Sequence, residues 1–181
     1  MATSTEVDQN ERFDKLIVPQ MPFLARVARS MSHSAAEADD LAQETLLKAY
    51  RAMDRFDGSH PKAWLARIAR NTAINRDQRN REFLLSEDGI VEPEEGSADG
   101  SDPEAIVVDA DVDEVLRRAL DELPPAFRVV VQLVDVEDLS YQEAADALEI
   151  PVGTVMSRLH RARRRLRQAL SGTHLDREKQ S

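Results

Sequence analysis

The sequence predicts an all-α protein made of two small helical domains joined by a flexible acidic linker. Aromatic residues make up only 4% of its 181 residues, while Leu, Ala and Arg recur throughout, a balance that favours helices over sheets. Apolar residues in both halves recur at helical spacing. We expect an unstructured lead over residues 1–11, a first domain over 12–82, the linker over 83–110, a second domain over 111–171 and a tail over 172–181.

The first half of the chain predicts three helices preceded by a shorter one around Phe13–Val18. The first of the three has an apolar period and begins near Pro22, which suits a first turn; the period is formed by Phe23, Leu24, Val27, Ala28 and Met31. Ser34 and Glu37 have the spacing of a capping box for the second helix. A loop follows, and the third helix runs from about residue 61 to 81. Trp64 matches the apolar period of this helix, so we assign it to the core, with a base-stacking platform as the alternative.

The linker is predicted from its charge and composition. Between Glu82 and Leu116 there are thirteen acidic residues and no Lys or Arg, together with several Gly, Pro and Ser. Such a segment cannot bury enough apolar surface to offset its chain entropy. The net charge of −10 is therefore concentrated in the middle of the chain, and the rest carries a small positive charge.

The second half predicts four helices. The first carries an apolar period and stops at Pro124; the next contains Phe127 and three valines, which 3-4 spacing assigns to a helix rather than a strand. Ser140 and Glu143 have the spacing of a second capping box. A short helix, a turn at residues 150–153 and a long helix over about 154–170 then complete a helix-turn-helix.

The last long helix predicts a nucleic-acid reader. Its apolar stripe consists of Val155, Leu159, Ala162, Leu166 and Ala169. Its other faces carry Arg158, His160, Arg161, Arg163, Arg164, Arg165 and Arg167, and no acidic residue lies between Glu149 and Asp176. Cations on such a helix neutralise phosphates in the major groove, and residues near its amino end reach base edges.

Two other interpretations of this helix fit the sequence less well. A solvated helix held by i,i+4 ion pairs needs acids on the same helix, and there are none. A membrane-surface helix would carry large apolar residues, whereas this stripe includes two alanines. One feature is unusual for a helix-turn-helix: Glu149 occupies the turn position where glycine is common, and a left-handed Glu costs about 1 kcal/mol.

Two polar surfaces are predicted in the first half. On the third helix Arg67, Asn71, Asn75 and Gln78 form one stripe, flanked by Arg70, Arg76, Arg79 and Arg81. Amides and guanidinium groups suit the unstacked bases and phosphates of single-stranded DNA. On the second helix, Asp39, Asp40, Gln43, Glu44, Leu47 and Lys48 lie outside the buried stripe. This face suits a docked protein, and it suits plain solvation equally well.

Together these segments resemble the extracytoplasmic-function (ECF) group of sigma factors in the sigma-70 family. DDLAQETLLKAY is similar to the core-polymerase helix of region 2, and KAWLARIARNTAINRDQRNR is similar to the segment that melts and recognises the −10 element. LDELPPAFRVVVQL followed by the helix-turn-helix is similar to region 4. The resemblance covers about residues 13–81 and 112–170, and it implies that the first domain is region 2 and the second is region 4.

The resemblance implies that the chain binds core RNA polymerase and directs promoter-specific initiation. Contacts with the β′ clamp helices would come from Asp40, Gln43, Glu44 and Leu47, and the β flap would be a further contact. The opened −10 strand would be held by Arg67, Asn71, Asn75, Arg76 and Arg79, with the loop 57–60 capturing a flipped base. The −35 duplex would be contacted by Thr154, Met156, Ser157, Arg158, His160, Arg161, Arg164 and Arg165.

The resemblance also implies regulation by an anti-sigma factor and a linker that mimics nucleic acid inside the polymerase. Two departures are visible: Met156 stands where Lys or Arg is frequent, and the loop FDGSHPKAW replaces an Arg-Gly-Asp-like loop and resembles a stress-response subgroup. The −10 preference is therefore expected to differ. A cytoplasmic location and no membrane insertion are expected, because there is no Cys, no apolar run of about 20 residues and no signal-peptide pattern at the start.

Neither an enzyme nor a cofactor or metal site is expected. The four histidines are scattered without metal-ligand spacing, and no Gly-rich phosphate loop is present. Two alternative functions stay open from the residues alone. One is a helix-turn-helix regulator that acts without core polymerase, and the other is a helical adaptor. The amide and arginine stripe of the third helix favours the sigma factor, because a simple duplex binder has no use for it.

Overall fold

The computed structural model describes residues 4–76 and 112–178, and side chains within 8–76 and 115–170. These residues are helical, with no β-strand among them. We number the α-helices in chain order: α1 Ser4–Leu16, α2 Met21–Ser30, α3 Ala35–Arg51, α4 Pro61–Arg76, α5 Val112–Asp121, α6 Pro125–Val131, α7 Tyr141–Leu148 and α8 Val152–Glu178. Short 3-10 turns follow α1 and α3, and the residues after α6, Gln132–Val136, are π-helical. The predicted linker 83–110, with Gln78, Arg79 and Arg81, lies outside the described residues.

Helix α1 corrects the predicted unstructured lead, because the chain is helical from Ser4. Contacts with distant residues explain this start. Gln9 Nε2 donates to the Tyr50 carbonyl oxygen at 2.7 Å, and Arg12 Nη2 donates to the Phe56 carbonyl oxygen at 2.7 Å. Phe13 packs edge-on against the Tyr50 ring at 5.4 Å. These partners lie about 40 positions along the chain, so no local pattern records them.

The predicted starts of α2, α3 and α4 are confirmed, whereas the shorter helix expected around Phe13–Val18 is the end of α1, which begins at Ser4. Pro22 lies in the first turn of α2. Ser34 caps α3 by accepting a hydrogen bond from the Glu37 amide at 3.2 Å, while Glu37 accepts from the amide of His33 rather than that of Ser34. The core of this half lies between α2, α3 and α4 and includes Phe23, Leu24, Val27, Leu41 and Leu65, each buried.

The capping residues and the turn residue of the second half adopt the predicted conformations. Ser140 and Glu143 form the reciprocal capping box at the start of α7. Glu149 ends α7 in the left-handed conformation, with φ of 51°, as the turn requires. The valine-rich segment is helical and continues into the π-helical turn. Helix α8 extends to Glu178, beyond its predicted end near residue 170.

The two halves pack against each other, which the predicted tethered arrangement does not include. Helix α2 contacts α6 and the π-helical turn, and α4 packs along α7. The buried apolar side chains of both halves form one continuous cluster, which extends from Phe23 and Leu65 to Phe127 and Leu148. Most of the basic face of α8 nevertheless stays exposed, so this packing covers α4 rather than α8.

Candidate polymerase and nucleic-acid interfaces

Helix α3 presents an apolar side chain within a polar, acidic face. Leu47 is 59% exposed, and Asp40 and Gln43 on the same helix are also exposed. Glu44 is half-exposed and accepts from Lys48 Nζ, with 2.8 Å between the two atoms. This hydrogen bond, with the nearby positive charges, holds the pKa of Glu44 below its ordinary value. All four residues predicted to bind polymerase therefore reach the surface of one helix.

Arg76 links this face to the predicted −10 stripe. Its Nη2 lies 3.4 Å from an oxygen of Asp40, and its Nε lies 3.6 Å from an oxygen of Glu44. The end of α4 is thus attached to the acids of α3. Arg76 was predicted as a −10 contact, and in this structure its guanidinium is engaged with acids of the predicted polymerase face.

The remaining stripe of α4 is only partly open to solvent. Arg67 and Asn75 are exposed, whereas Asn71 is half-buried. Arg70, which was predicted only as a flanking residue, is buried, and its guanidinium bonds to Asn71 Oδ1 at 2.7 Å and to the Glu149 carboxylate. Arg79 lies outside the described residues. Part of the stripe is therefore exposed to solvent, and part contacts the end of the packed helix α7.

A cavity of about 270 Å³ lies beside the loop predicted to capture a flipped base. The first half lines it with Arg55, Phe56, Asp57, Ser59, His60, Ala63, Trp64 and Arg67, and α7 closes one side with Asp146 and Ala147. Trp64 is half-buried and stacks on Phe56, with ring centroids 4.2 Å apart. The core assignment of Trp64 is thus right for one face of the ring, while the side chain also lines the cavity.

The loop itself is shaped by its own polar groups. Asp57 Oδ1 accepts from the Ser59 amide at 2.8 Å and from the Ser59 hydroxyl at 2.7 Å. These two bonds hold the pKa of Asp57 below its ordinary value. Gly58 has a φ of 91°, a conformation that glycine adopts without a side-chain clash. The loop therefore turns tightly and exposes His60.

The basic face of α8 has the exposure expected of a duplex reader at most predicted positions. Thr154 is half-buried, and the exposed residues are Met156, Ser157, His160, Arg161 and Arg164. The Ser157 hydroxyl donates to the Thr154 carbonyl oxygen at 3.1 Å. These side chains lie near the amino end of the helix, where groove-reading residues are found.

Two of the predicted −35 contacts are placed elsewhere. Arg158 is only 4% exposed, because it follows Val155 by three residues and falls within the buried stripe. The guanidinium of Arg165 lies over the Phe127 ring, 5.1 Å from its centroid. In this arrangement Arg158 cannot reach a base edge, and Arg165 faces its own domain.

Arg163 of α8 forms an ion pair with an acid that lies outside this helix. Its guanidinium bonds to both carboxylate oxygens of Asp135, at 2.5 and 3.1 Å, which raises the Arg163 pKa. Asp135 belongs to the π-helical turn and not to α8. A solvated helix held by i,i+4 ion pairs needs acids within residues 154–170 of the helix itself, so the contact with Asp135 does not restore that interpretation.

Ion pairs and hydrogen bonds join the two halves, and the sequence did not predict them. Glu137 Oε1 accepts from Arg26 Nε at 2.6 Å, and Lys62 Nζ lies 3.4 Å from Glu137 Oε2. His60 Nδ1 lies 2.7 Å from Glu143 Oε1. Arg128 Nη1 donates to the Ser32 carbonyl oxygen at 3.3 Å. In the sequence, the feature that could have indicated these contacts is Glu149, an unusual residue for its turn, which pairs with Arg70 of the first half.

Neighbouring groups lower the pKa of two carboxyl groups at this contact, those of Glu137 and Glu143. Burial raises the pKa of Glu137, but the hydrogen bond and charge of Arg26, together with Lys62, outweigh it and leave the pKa below its ordinary value. The Ser140 hydroxyl and amide, followed by His60, lower the pKa of Glu143. Both carboxylates are thus ionised partners at neutral pH.

The described histidines do not gather into a metal site. His33 pairs with Glu37 at 3.7 Å and His60 pairs with Glu143, while His160 lies exposed on α8. No group of three candidate metal ligands occurs among the described residues. Within the same residues, every helix is too short or too polar to cross a bilayer.

Family models match both halves of the chain. The model described as Sigma-70 region 2 matches residues 16–82, and the model described as Sigma-70, region 4 matches residues 113–166. The two matches correspond to the packed helices α2–α4 and α5–α8 described above. They leave the acidic segment between them unmatched.

The similar proteins are sigma factors, and they match this chain over most of its length. The ECF RNA polymerase sigma factor SigE of Mycolicibacterium smegmatis is 36% identical over 162 residues, which cover 88% of this chain and 62% of SigE. The chain thus spans less than two thirds of SigE. The RNA polymerase sigma-H factor of Pseudomonas aeruginosa is 34% identical, with 87% and 86% covered. The sigma factor RpoE of Bartonella quintana, solved with the anti-sigma factor NepR, is 30% identical with a TM-score of 0.65, covering 88% of this chain and 96% of RpoE.

Proposed function

This chain belongs to the ECF group of RNA polymerase sigma factors, and we propose that it binds core RNA polymerase and directs it to promoters. One observation carries the proposal. A single chain combines an exposed Leu among acids on α3, an amide and arginine stripe on α4 and an exposed basic helix α8. An ordinary duplex-binding regulator needs only the last of these three surfaces.

The face of α3 is proposed to dock on the β′ clamp helices. Leu47 supplies apolar area that is already exposed, and Asp40, Gln43 and Glu44 surround it with polar groups. An apolar anchor inside a polar rim is the usual anatomy of a protein interface. The β flap is proposed as a second contact of polymerase with the chain.

Helix α4 and its loop are proposed to hold the opened −10 strand. Arg67, Asn71, Asn75 and Arg76 would contact phosphates and base edges, and Arg79 would extend the same stripe. The cavity beside Trp64 would accept a flipped base, because this aromatic side chain is among those that line it. The order of contacts along the strand is set by the order of these residues along α4.

Helix α8 is proposed to read the −35 duplex with a smaller set than the sequence predicted. Met156, Ser157, His160, Arg161 and Arg164 are exposed. Thr154 lies at the same end of the helix. Arg158 and Arg165 are left out, because one is buried and the other covers an aromatic ring.

The chain is proposed to act in the cytoplasm, without catalysis of its own, because the polymerase supplies the chemistry. An anti-sigma factor is proposed as its regulator. The similar RpoE was solved together with such a factor, which supports this assignment. The acidic segment 83–110 is proposed to run through the polymerase, where its carboxylates substitute for nucleic-acid phosphates.

Run-off transcription with purified core polymerase on fragmented genomic DNA tests the proposal. Core polymerase with the chain is expected to yield discrete transcripts that core polymerase alone does not. A variant in which Asn71 and Asn75 are both Ala is expected to lose them. If no fragment supports specific initiation, the chain is not an initiation factor.

The runner-up function is a helix-turn-helix regulator that acts without polymerase, which the exposed basic face of α8 would also permit. That protein would bind duplex operators tightly by itself. Gel-shift titration of the free chain against duplex genomic fragments separates the two functions. Tight, specific binding without polymerase, combined with no stimulation of initiation, would select the regulator.

A further inference from the structure

The ion pairs described between the two halves share one polarity. Three glutamates of the second half, Glu137, Glu143 and Glu149, each pair with basic residues of the first half. Their partners lie on α2, α4 and the loop before α4 and are Arg26, Lys62, His60 and Arg70. The second half thus presents an acidic edge to a basic surface.

The same basic surface is the one proposed to hold the −10 strand. Glu149 bonds to the guanidinium of Arg70 and lies 3.4 Å from Asn71 Nδ2. Glu143 engages His60, and Asp146 lines the cavity proposed for a flipped base. Carboxylates of the second half therefore occupy positions that phosphates and a base would need.

The turn residue Glu149 has a structural cost that the helix-turn-helix itself does not require. Its φ of 51° is a left-handed conformation, which costs a non-glycine residue about 1 kcal/mol relative to glycine. Its side chain is 47% exposed and contacts Arg70 and Asn71 of the first half, and Arg70 is only 8% exposed. The residue type thus serves the contact between the halves.

We propose that Glu149 is an internal substitute for a DNA phosphate, which holds the helix-turn-helix over the −10 surface in the free chain. This closed form keeps α4 from single-stranded DNA until the halves separate. The α3 face with Leu47 stays exposed throughout, so polymerase can bind first. The inference rests on the proposed function only in naming DNA as the ligand that Glu149 displaces.

The test compares the full chain with Glu149→Gln, Glu149→Gly and the control Glu122→Gln. Glu122 is exposed and lies just after α5, so its variant has the same charge change away from the contact. Because the chain has no Cys, single cysteines introduced at the exposed positions Ala36 and Gln168 accept a donor and an acceptor dye. Energy transfer between the dyes then reports whether the halves are closed.

Both Glu149 variants are expected to lower energy transfer, while the Glu122 variant matches the original chain. Glycine tolerates the left-handed turn, so Glu149→Gly keeps the helix-turn-helix folded and protects the test against simple unfolding. Affinity for a random-sequence single strand of about 20 nucleotides at low salt should rise about two- to fivefold in both Glu149 variants, the range of one partly exposed ion pair.

Equal energy transfer and equal strand affinity in all four chains would overturn the proposal. An equal gain of affinity in Glu122→Gln would also overturn it, because net charge alone would then explain the effect. A failure of the proposed function would give a different result from a failure of this inference. In that case, core polymerase with any of these chains would not initiate, whether or not the Glu149 variants opened.

Discussion

Glu137 offers the sharpest test of the packing between the two halves. Its side chain is only 3% exposed, and its carboxylate accepts from Arg26 at 2.6 and 3.1 Å, from Lys62 at 3.4 Å and from Gln132 at 3.0 Å. The variant Glu137→Gln keeps the size of the side chain and removes its charge. We expect the free energy of unfolding to fall, because two cations lose their shared acid.

The size of the loss follows from the exposure of the partners. Removing one member of a fully buried ion pair costs about 3–5 kcal/mol, because an unpaired charge is left behind. Arg26 is 50% exposed and Lys62 is 41% exposed, so both regain water when the carboxylate is absent. The expected loss is therefore nearer to that of one charged hydrogen bond, about 1.5–3 kcal/mol.

Urea unfolding followed by circular dichroism measures this loss. Glu122→Gln is the matched control, since it removes the same charge at an exposed position and should change stability by less than about 0.5 kcal/mol. The prediction fails if the two variants have the same free energy of unfolding. A lower unfolding slope in Glu137→Gln, at an unchanged midpoint, would mean that its native state is already partly open.

Three further predictions follow from the exposed faces and the carboxylates. Leu47→Ala should weaken core-polymerase binding about tenfold by surface plasmon resonance, with stability unchanged, whereas the control Met21→Ala, at a residue of α2 that is 47% exposed, should leave binding intact. Arg161→Ala should flatten the salt dependence of binding to −35 duplex by about one unit in a fluorescence titration, and Arg165→Ala should not. Because the folded-state pKa of Glu137 lies below the ordinary 4.5, its contribution to stability is complete above that pH and is lost as the pH falls through the lowered value. The urea midpoint should accordingly fall more between about pH 7 and about pH 4 in the original chain than in Glu137→Gln.

Local chemistry made most helix boundaries predictable from the sequence. Ser34 and Ser140 lie at caps because their side chains accept from amides three residues later, a rule that acts within one turn. Pro22 lies in a first turn for an equally local reason. The left-handed conformation of Glu149 followed from the turn it occupies, even though the residue type was unusual.

Contacts between distant residues were not predictable in the same way. Helix α1 depends on Gln9 and Arg12 reaching carbonyl groups some 40 positions away. Arg158 was assigned to the exposed face because arginine is charged, but its long aliphatic stem allows it to lie in a buried stripe. The pairing of Glu149 with Arg70 joins residues 79 positions apart, so neither residue alone indicates it.

The proposed function requires one chain to use two helical surfaces at two separate DNA elements. The decisive experiment maps the 5′ ends of transcripts that core polymerase makes with the chain, over the whole fragmented genome. We expect the start sites to share two upstream sequence elements at a fixed spacing, with Asn71→Ala relaxing the sequence requirement at the nearer element and Arg161→Ala at the farther. Start sites with no shared elements, or with a pattern identical to that of core polymerase alone, would contradict it.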